Sequence, residues 1–203
     1  MPSESTLSRR TVLGTLAAGA AAVLLRPLSV LAQTSPITKP IPSTGERLPV
    51  VGLGSWITFN VGDDVELRDE CAAVLSAFFA AGGRMIDSSP MYGSSQAVIG
   101  YGLNKLQGPA ALFSADKVWI SSGDRGPGQI EESRRFWGVR RFDLLQVHNL
   151  LAWEDHLSTL LAMKAEGRVR YVGISTSEGR RHDEVQKIMA TRPISMANAS
   201  VGL

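Results

Sequence analysis

The sequence holds a single cysteine, Cys71, among its 203 residues. No intrachain disulfide can form, and a cysteine-based zinc site is excluded. Aromatic residues make up only 6%, yet apolar residues reach 44%, enough for a sizeable core. Charge of one sign is also scarce. Three of the 21 Lys and Arg and one of the 19 Asp and Glu fall in the first 32 residues, so the remainder carries 18 of each. The basic character therefore belongs to the leading segment. The pairs Arg134-Arg135, Arg140-Arg141 and Arg180-Arg181 have no interleaved aromatics, which excludes a nucleic-acid footprint. A long hydrophobic run is missing too: the leading uncharged stretch Thr11–Leu25 has 15 residues, and a bilayer span takes about 20.

What is present at the N-terminus is a three-part export pattern. Arg9 and Arg10 precede the uncharged run, and Val30-Leu31-Ala32 offers small residues at a cleavage site. The segment Ser8–Leu13 resembles the twin-arginine signal, which an export machinery reads as an address. This divides the chain into a signal peptide over 1–32, a linker and hairpin over 33–47, and a domain over 48–203. The implied location is periplasmic or otherwise exported. An uncleaved leader serving as a membrane anchor is the alternative.

After Gln33–Ser43, rich in Pro, Ser and Thr, strand and helix patterns alternate. Short apolar runs at Leu48–Leu53, Arg84–Asp87, Phe113–Ile120, Phe142–Val147, Arg170–Ile174 and Ile194–Ala199 read as strands. Between them lie five helical patterns. Cys71, Val74, Leu75, Phe78 and Phe79 share a face in the first, which Gly82-Gly83 stops. The others run over Gln96–Leu106, over Gln129–Trp137, through Leu157–Lys164, and through Val185–Met189. Such alternation gives a parallel sheet with crossover helices. It closes either as a doubly wound open sheet or as a (β/α)8 barrel. A barrel takes about 250 residues, so in this chain it would be short of its last quarter.

The polar residues of interest sit at strand ends. Asp87 ends the second strand, Tyr92 follows it, Lys117 lies in the third strand and His148 ends the fourth. Ser175 and Thr176 end the fifth. In parallel α/β folds these carboxyl ends face the site. An ammonium beside a phenol favours the phenolate, a carboxylate holds the ammonium, and a histidine donates to a carbonyl oxygen. Together they could protonate a carbonyl as it receives a hydride. No His-x-His or paired carboxylate supports a metal site, so a metal-dependent hydrolase barrel is the weaker reading. His156 and His182 are expected on helix surfaces, and Cys71 in the core.

Met85–Gln96, with Asp87 and Tyr92 five positions apart before Gly93, is similar to the aldo-keto reductase signature. Val51–Trp56 resembles that family's first-strand segment, Phe142–Asn149 its histidine segment, and Gly167–Ser175 its fifth-strand segment. The resemblance implies a (β/α)8 TIM barrel, incomplete at about six strands with the last two βα units missing. Thr38–Val50 would be the hairpin that plugs the barrel. It implies reduction of aldehydes and ketones with NADP(H), without metal. Tyr92 would be the general acid, Lys117 its pKa modifier, Asp87 the partner of Lys117 and His148 the carbonyl orienter. A rival register would place no lysine at the site. Gly54, Ser55, Trp56, Asp87, Ser175, Thr176 and Asn198 would lie along the cofactor. Asp116 stands where relatives carry Thr or Ser, Thr176 where many carry Asn, and Asn198 where Gln is expected. A small carbonyl compound is the implied substrate. The alternative is a non-catalytic remnant of the barrel that binds no cofactor.

Overall fold

A computed structural model describes residues 35–199; the leader, and with it the export reading, lies outside the described residues. The described chain opens with an antiparallel hairpin of β1 (Thr38–Pro40) and β2 (Arg47–Pro49). Six parallel strands follow: β3 (Leu53–Gly54), β4 (Met85–Asp87), β5 (Phe113–Val118), β6 (Phe142–His148), β7 (Val169–Thr176) and β8 (Met196–Ala199). They pair in chain order with no switch of direction. A doubly wound sheet reverses its order at a switch point. Sequential order is that of a β/α barrel, and the described strands are six of it.

The expected strand Leu48–Leu53 is divided. Leu48 is buried in the hairpin, Val50 and Val51 are exposed, and Leu53 begins β3. Pro49 has no N–H to continue a ladder, and Val50 turns its own N–H back to Ile37 O at 2.9 Å.

The crossovers are α1 (Val65–Ala80), α2 (Ser95–Lys105), α3 (Gly126–Trp137), α4 (Trp153–Ala165) and α5 (His182–Thr191). Asp64 caps α1, accepting the N–H groups of Glu66 and Leu67 at 3.0 and 3.1 Å. Its buried stripe is Cys71, Ala72 and Leu75, with Phe78 and Phe79 partly buried beside them. Ala72 and Phe79 draw the stripe to one side, which turns Val74 outward, against expectation. The third helix starts three residues before the expected Gln129, with Pro127 in its first turn, where a missing N–H costs nothing. Among the described residues no helix is long and apolar enough to cross a membrane.

Strand alternation builds two cores. Ile86, Leu145, Val147, Val172 and Ile174 face the helices. Phe113, Ala115, Leu144 and Tyr171 face inward and pack against Ile41 and Leu48 of the hairpin. Glu46 anchors that hairpin: it pairs with Arg170 and accepts the Tyr171 hydroxyl at 2.7 Å.

The helices are drawn close where glycine allows. A Cβ on Gly100 of α2 would lie 1.8 Å from Phe136 O of α3. Alanine is the better helix former by about 1 kcal/mol, but backbone cannot yield to this overlap. Gly100→Ala is therefore expected to lower stability by about 1–3 kcal/mol or more. Urea unfolding measures it, and an unchanged or higher midpoint would refute the close approach.

Candidate active site

The carboxyl ends of β4 to β7 bring their inward side chains together. Period two places Asp87 on β4, Lys117 on β5, Gln146 and His148 on β6, and Ser175 on β7 on the same inner face of the sheet. Tyr92 comes from the loop after β4. Its N–H bonds Ser89 O at 3.0 Å, and the loop is pinned by Asn60, whose Oδ1 accepts Ser94 N–H at 2.9 Å.

Lys117 is buried, only 2% exposed, and its Nζ donates to Asp87 Oδ2 at 2.5 Å and Ser88 O at 2.6 Å. The same ammonium lies 5.1 Å from the centre of the Tyr92 ring. The rival register without a lysine is thereby set aside. Gln146 Nε2 reaches Asp87 Oδ1 at 3.4 Å. Gly173 lies beside it, and a Cβ there would come 3.2 Å from Gln146 Cγ and 2.5 Å from Met196 O. The Tyr92 and His148 rings meet edge to face, 6.1 Å apart. His148 Nδ1 and Ser175 Oγ are 2.9 Å apart.

Burial governs the protonation of this group. It pushes the Tyr92 phenol above its ordinary value, and the Lys117 charge pulls against that without prevailing. The lysine was expected to leave the phenol lower; desolvation outweighs it, and the phenol stays protonated at neutral pH. Burial also raises the Asp87 carboxyl, against the Lys117 ammonium. His148 is brought down to about 4 by burial and then by Lys117, so it is neutral at pH 7.

A lowered histidine pKa carries a sign. Between pH 6.5 and about 4 the unfolded chain takes up a proton that folded His148 refuses, so its contribution to stability falls as pH falls through that window. The melting temperature is expected to drop with acidification there, and His148→Gln to remove much of that drop. Parallel melting curves for the two proteins would sink the assignment.

A cavity of about 230 Å³ opens over these groups, lined by Trp56, Met91, Tyr92, Lys117, His148, Ser175, Thr176 and Ser177. The cofactor candidates divide around it. Trp56 is an exposed rim residue. Gly54 lies deeper along the inner face, beside Asp87 and Gln146. Ser55 is fully buried, and its hydroxyl donates to Ser88 Oγ at 2.9 Å. Thr176 Oγ1 accepts Glu178 N–H at 3.0 Å. Asn198 stands opposite Ser175 in the β7–β8 register.

Sequence reasoning missed two contributors to the site, Gln146 and Ser88, and misjudged one histidine. Gln146 was legible, two residues before His148 on the same face. Ser88 acts through its carbonyl, which leaves no side-chain signal. His156 is buried against expectation: α4 meets the start of α3, and its Nε2 bonds Ile120 O at 2.7 Å. His182 is half-buried.

Comparison with known proteins follows the same lines. A model described as the aldo/keto reductase family matches residues 50–201. The chain is 30% identical over 132 residues to the methylglyoxal reductase YeaE of Escherichia coli, covering 63% of this chain and 45% of that protein. It is 25% identical over 182 residues to aldo-keto reductase family 1 member A1 of Sus scrofa, covering 74% and 53%. It spans about half the length of these curated relatives. Among solved structures, an aldo-keto reductase described from Pseudomonas aeruginosa superposes with a TM-score of 0.68 at 21% identity, covering 86% of this chain and 73% of that one. One from Klebsiella pneumoniae in complex with NADPH gives 0.61 at 21%, covering 77% and 55%. At these identities the structures show the fold.

Proposed function

We propose that this chain, which belongs to the aldo/keto reductase family, reduces small aldehydes and ketones with NADPH. The observation that carries the reading is one arrangement: a buried ammonium held by Asp87 and set against the Tyr92 ring, with neutral His148 across the same cavity.

The residues present fit the nicotinamide end of the cofactor. If His148 carries its hydrogen on Nε2, Nδ1 accepts from the Ser175 hydroxyl. A lone pair of Ser175 Oγ would then be left for a carboxamide N–H. The chemistry that the reduced cofactor would supply, when bound, is a hydride. The chain supplies the proton and the geometry. His148 Nε2–H holds the carbonyl oxygen, and the Tyr92 hydroxyl delivers its proton to that oxygen as charge develops there. The Lys117 ammonium stabilises the phenolate left behind, and Asp87 keeps the ammonium in place.

The test is a panel of small aldehydes and ketones with NADPH, followed by loss of cofactor absorbance. Methylglyoxal is included because a relative is named for it. Turnover that disappears in Tyr92→Phe is the expected result. No turnover with any compound would overturn the reading.

A further inference from the structure

Behind Lys117, on the opposite face of β5, Asp116 is fully buried. Its Oδ1 accepts Lys117 N–H at 2.7 Å. Its Oδ2 accepts Gln96 Nε2 of α2 at 2.8 Å, and the same amide donates to Ser133 Oγ of α3 at 2.9 Å. A carboxyl in the layer between sheet and helices is costly unless its hydrogen bonds are made. Here they are made, and at one particular place. The strand β4 ends at Asp87, opposite Ala115. Ala115 O takes Ser88 N–H at 3.0 Å. Amides two apart on a strand face the same neighbour, so the N–H of Lys117 faces the side on which β4 has run out. A buried amide must find an acceptor, and the Asp116 side chain is that acceptor.

We propose that Asp116 is a positioning residue for Lys117: it closes the backbone where β4 ends, ties β5 to α2 and α3, and so aims the ammonium at Asp87 and Tyr92. The proposal rests on the reading that Lys117 serves Tyr92, but it is measured without turnover.

The positioning is linked to a proton. Gln96 from α2 and Ser133 from α3 do not ionise; the charges that reach Asp116 are Lys117 on its own strand and Asp87 on β4. Asp116 in turn acts on Tyr92, where its charge disfavours the phenolate. Burial pushes the Asp116 carboxyl from 3.8 up to about 7, against its hydrogen bonds and Lys117. A carboxyl raised by folding gives a contribution that is complete below the unfolded value and lost as pH rises through the folded one. The window is pH 3.8 to about 7, and the sign opposes that of His148.

The experiment uses the full chain with Asp116→Ala and Asp116→Asn. Amide exchange of Lys117 and the resonance of its ammonium are followed by NMR. In D116A the Lys117 amide should exchange about tenfold faster, the loss of one hydrogen bond, and the ammonium signal should shift or broaden. In D116N the acceptor remains, so the amide should stay protected. D116N should instead lose the proton linkage: the wild type should fall in melting temperature relative to D116N as pH rises from 4 to 7. An unchanged Lys117 amide and ammonium in D116A, or parallel pH–melting curves for wild type and D116N, would overturn the proposal. If D116A fails to fold, the D116N curves decide. A responsive Lys117 in a protein that turns over no carbonyl defeats the proposed function and leaves this inference standing. Turnover with an unresponsive Lys117 does the reverse.

Discussion

Lys117→Met is expected to lose the reaction and a large part of the stability in one step. The Lys117 side chain is 2% exposed and its ammonium has two close acceptors, Asp87 Oδ2 at 2.5 Å and Ser88 O at 2.6 Å. Methionine fills the stem's volume and serves neither acceptor. Asp87 is left with Gln146 at 3.4 Å, a weak bond. Breaking a buried ion pair from one side costs roughly 3–5 kcal/mol, most of it the charge left behind. The Asp87 side chain is 22% exposed, so the lower end, about 3 kcal/mol, is expected. The double variant D87N/K117M separates the causes. With the carboxyl neutralised, K117M should cost less than it does in the wild type, a coupling of about 1 kcal/mol or more. Denaturant midpoints of the four proteins give the cycle. A K117M protein as stable as the wild type would mean that the pair is not formed.

Tyr92→Phe is expected to separate catalysis from folding. The hydroxyl is the only group removed, and the ring keeps its contact with His148 and its place over the ammonium. A positioned general acid contributes about 10²–10⁴-fold, and turnover should fall by that factor. The hydroxyl's interaction with Lys117 is lost, but the melting temperature should change little, since the ammonium keeps Asp87 and Ser88 O as acceptors. The affinity for NADPH, titrated by fluorescence, should also hold. A variant that keeps more than a tenth of the wild-type rate would remove Tyr92 from the proton-transfer role and move attention to His148.

The proposed acid, the ammonium, the carboxylate and the histidine were legible as candidates because each follows from local rules. Strand ends are marked by the change from apolar runs to Gly, Ser and Asn, and period two assigns inward and outward faces within each strand. Asp87, Lys117, His148 and Ser175 could be placed on one rim from those two facts. Gln146 was equally legible by its spacing from His148. Other features left no local trace. The split of the Leu48–Leu53 segment depends on where β3 finds β4. The burial of His156 depends on how α4 meets α3. The Ser88 carbonyl belongs to the backbone, and any residue at that position would supply it.

The balance of pKa effects was least accessible. The spacing of Lys117 and Tyr92 argued for a lowered phenol, because opposite charge is easy to foresee from residue types. Burial acts the other way and prevails, and burial is a property of the packed whole. The same holds for Asp116: period two turns it away from Lys117, but only the packing of α2 and α3 on β5 supplies Gln96 and Ser133 as its partners. The sequence by itself determined the order of the elements, the family pattern and the identity of the side chains proposed to react, because periodicity and motif are written in neighbouring residues. Tertiary structure decided which of those side chains touch, how deeply each is buried and therefore which proton each holds. Those quantities depend on distances between elements dozens of residues apart, and only close packing sets them.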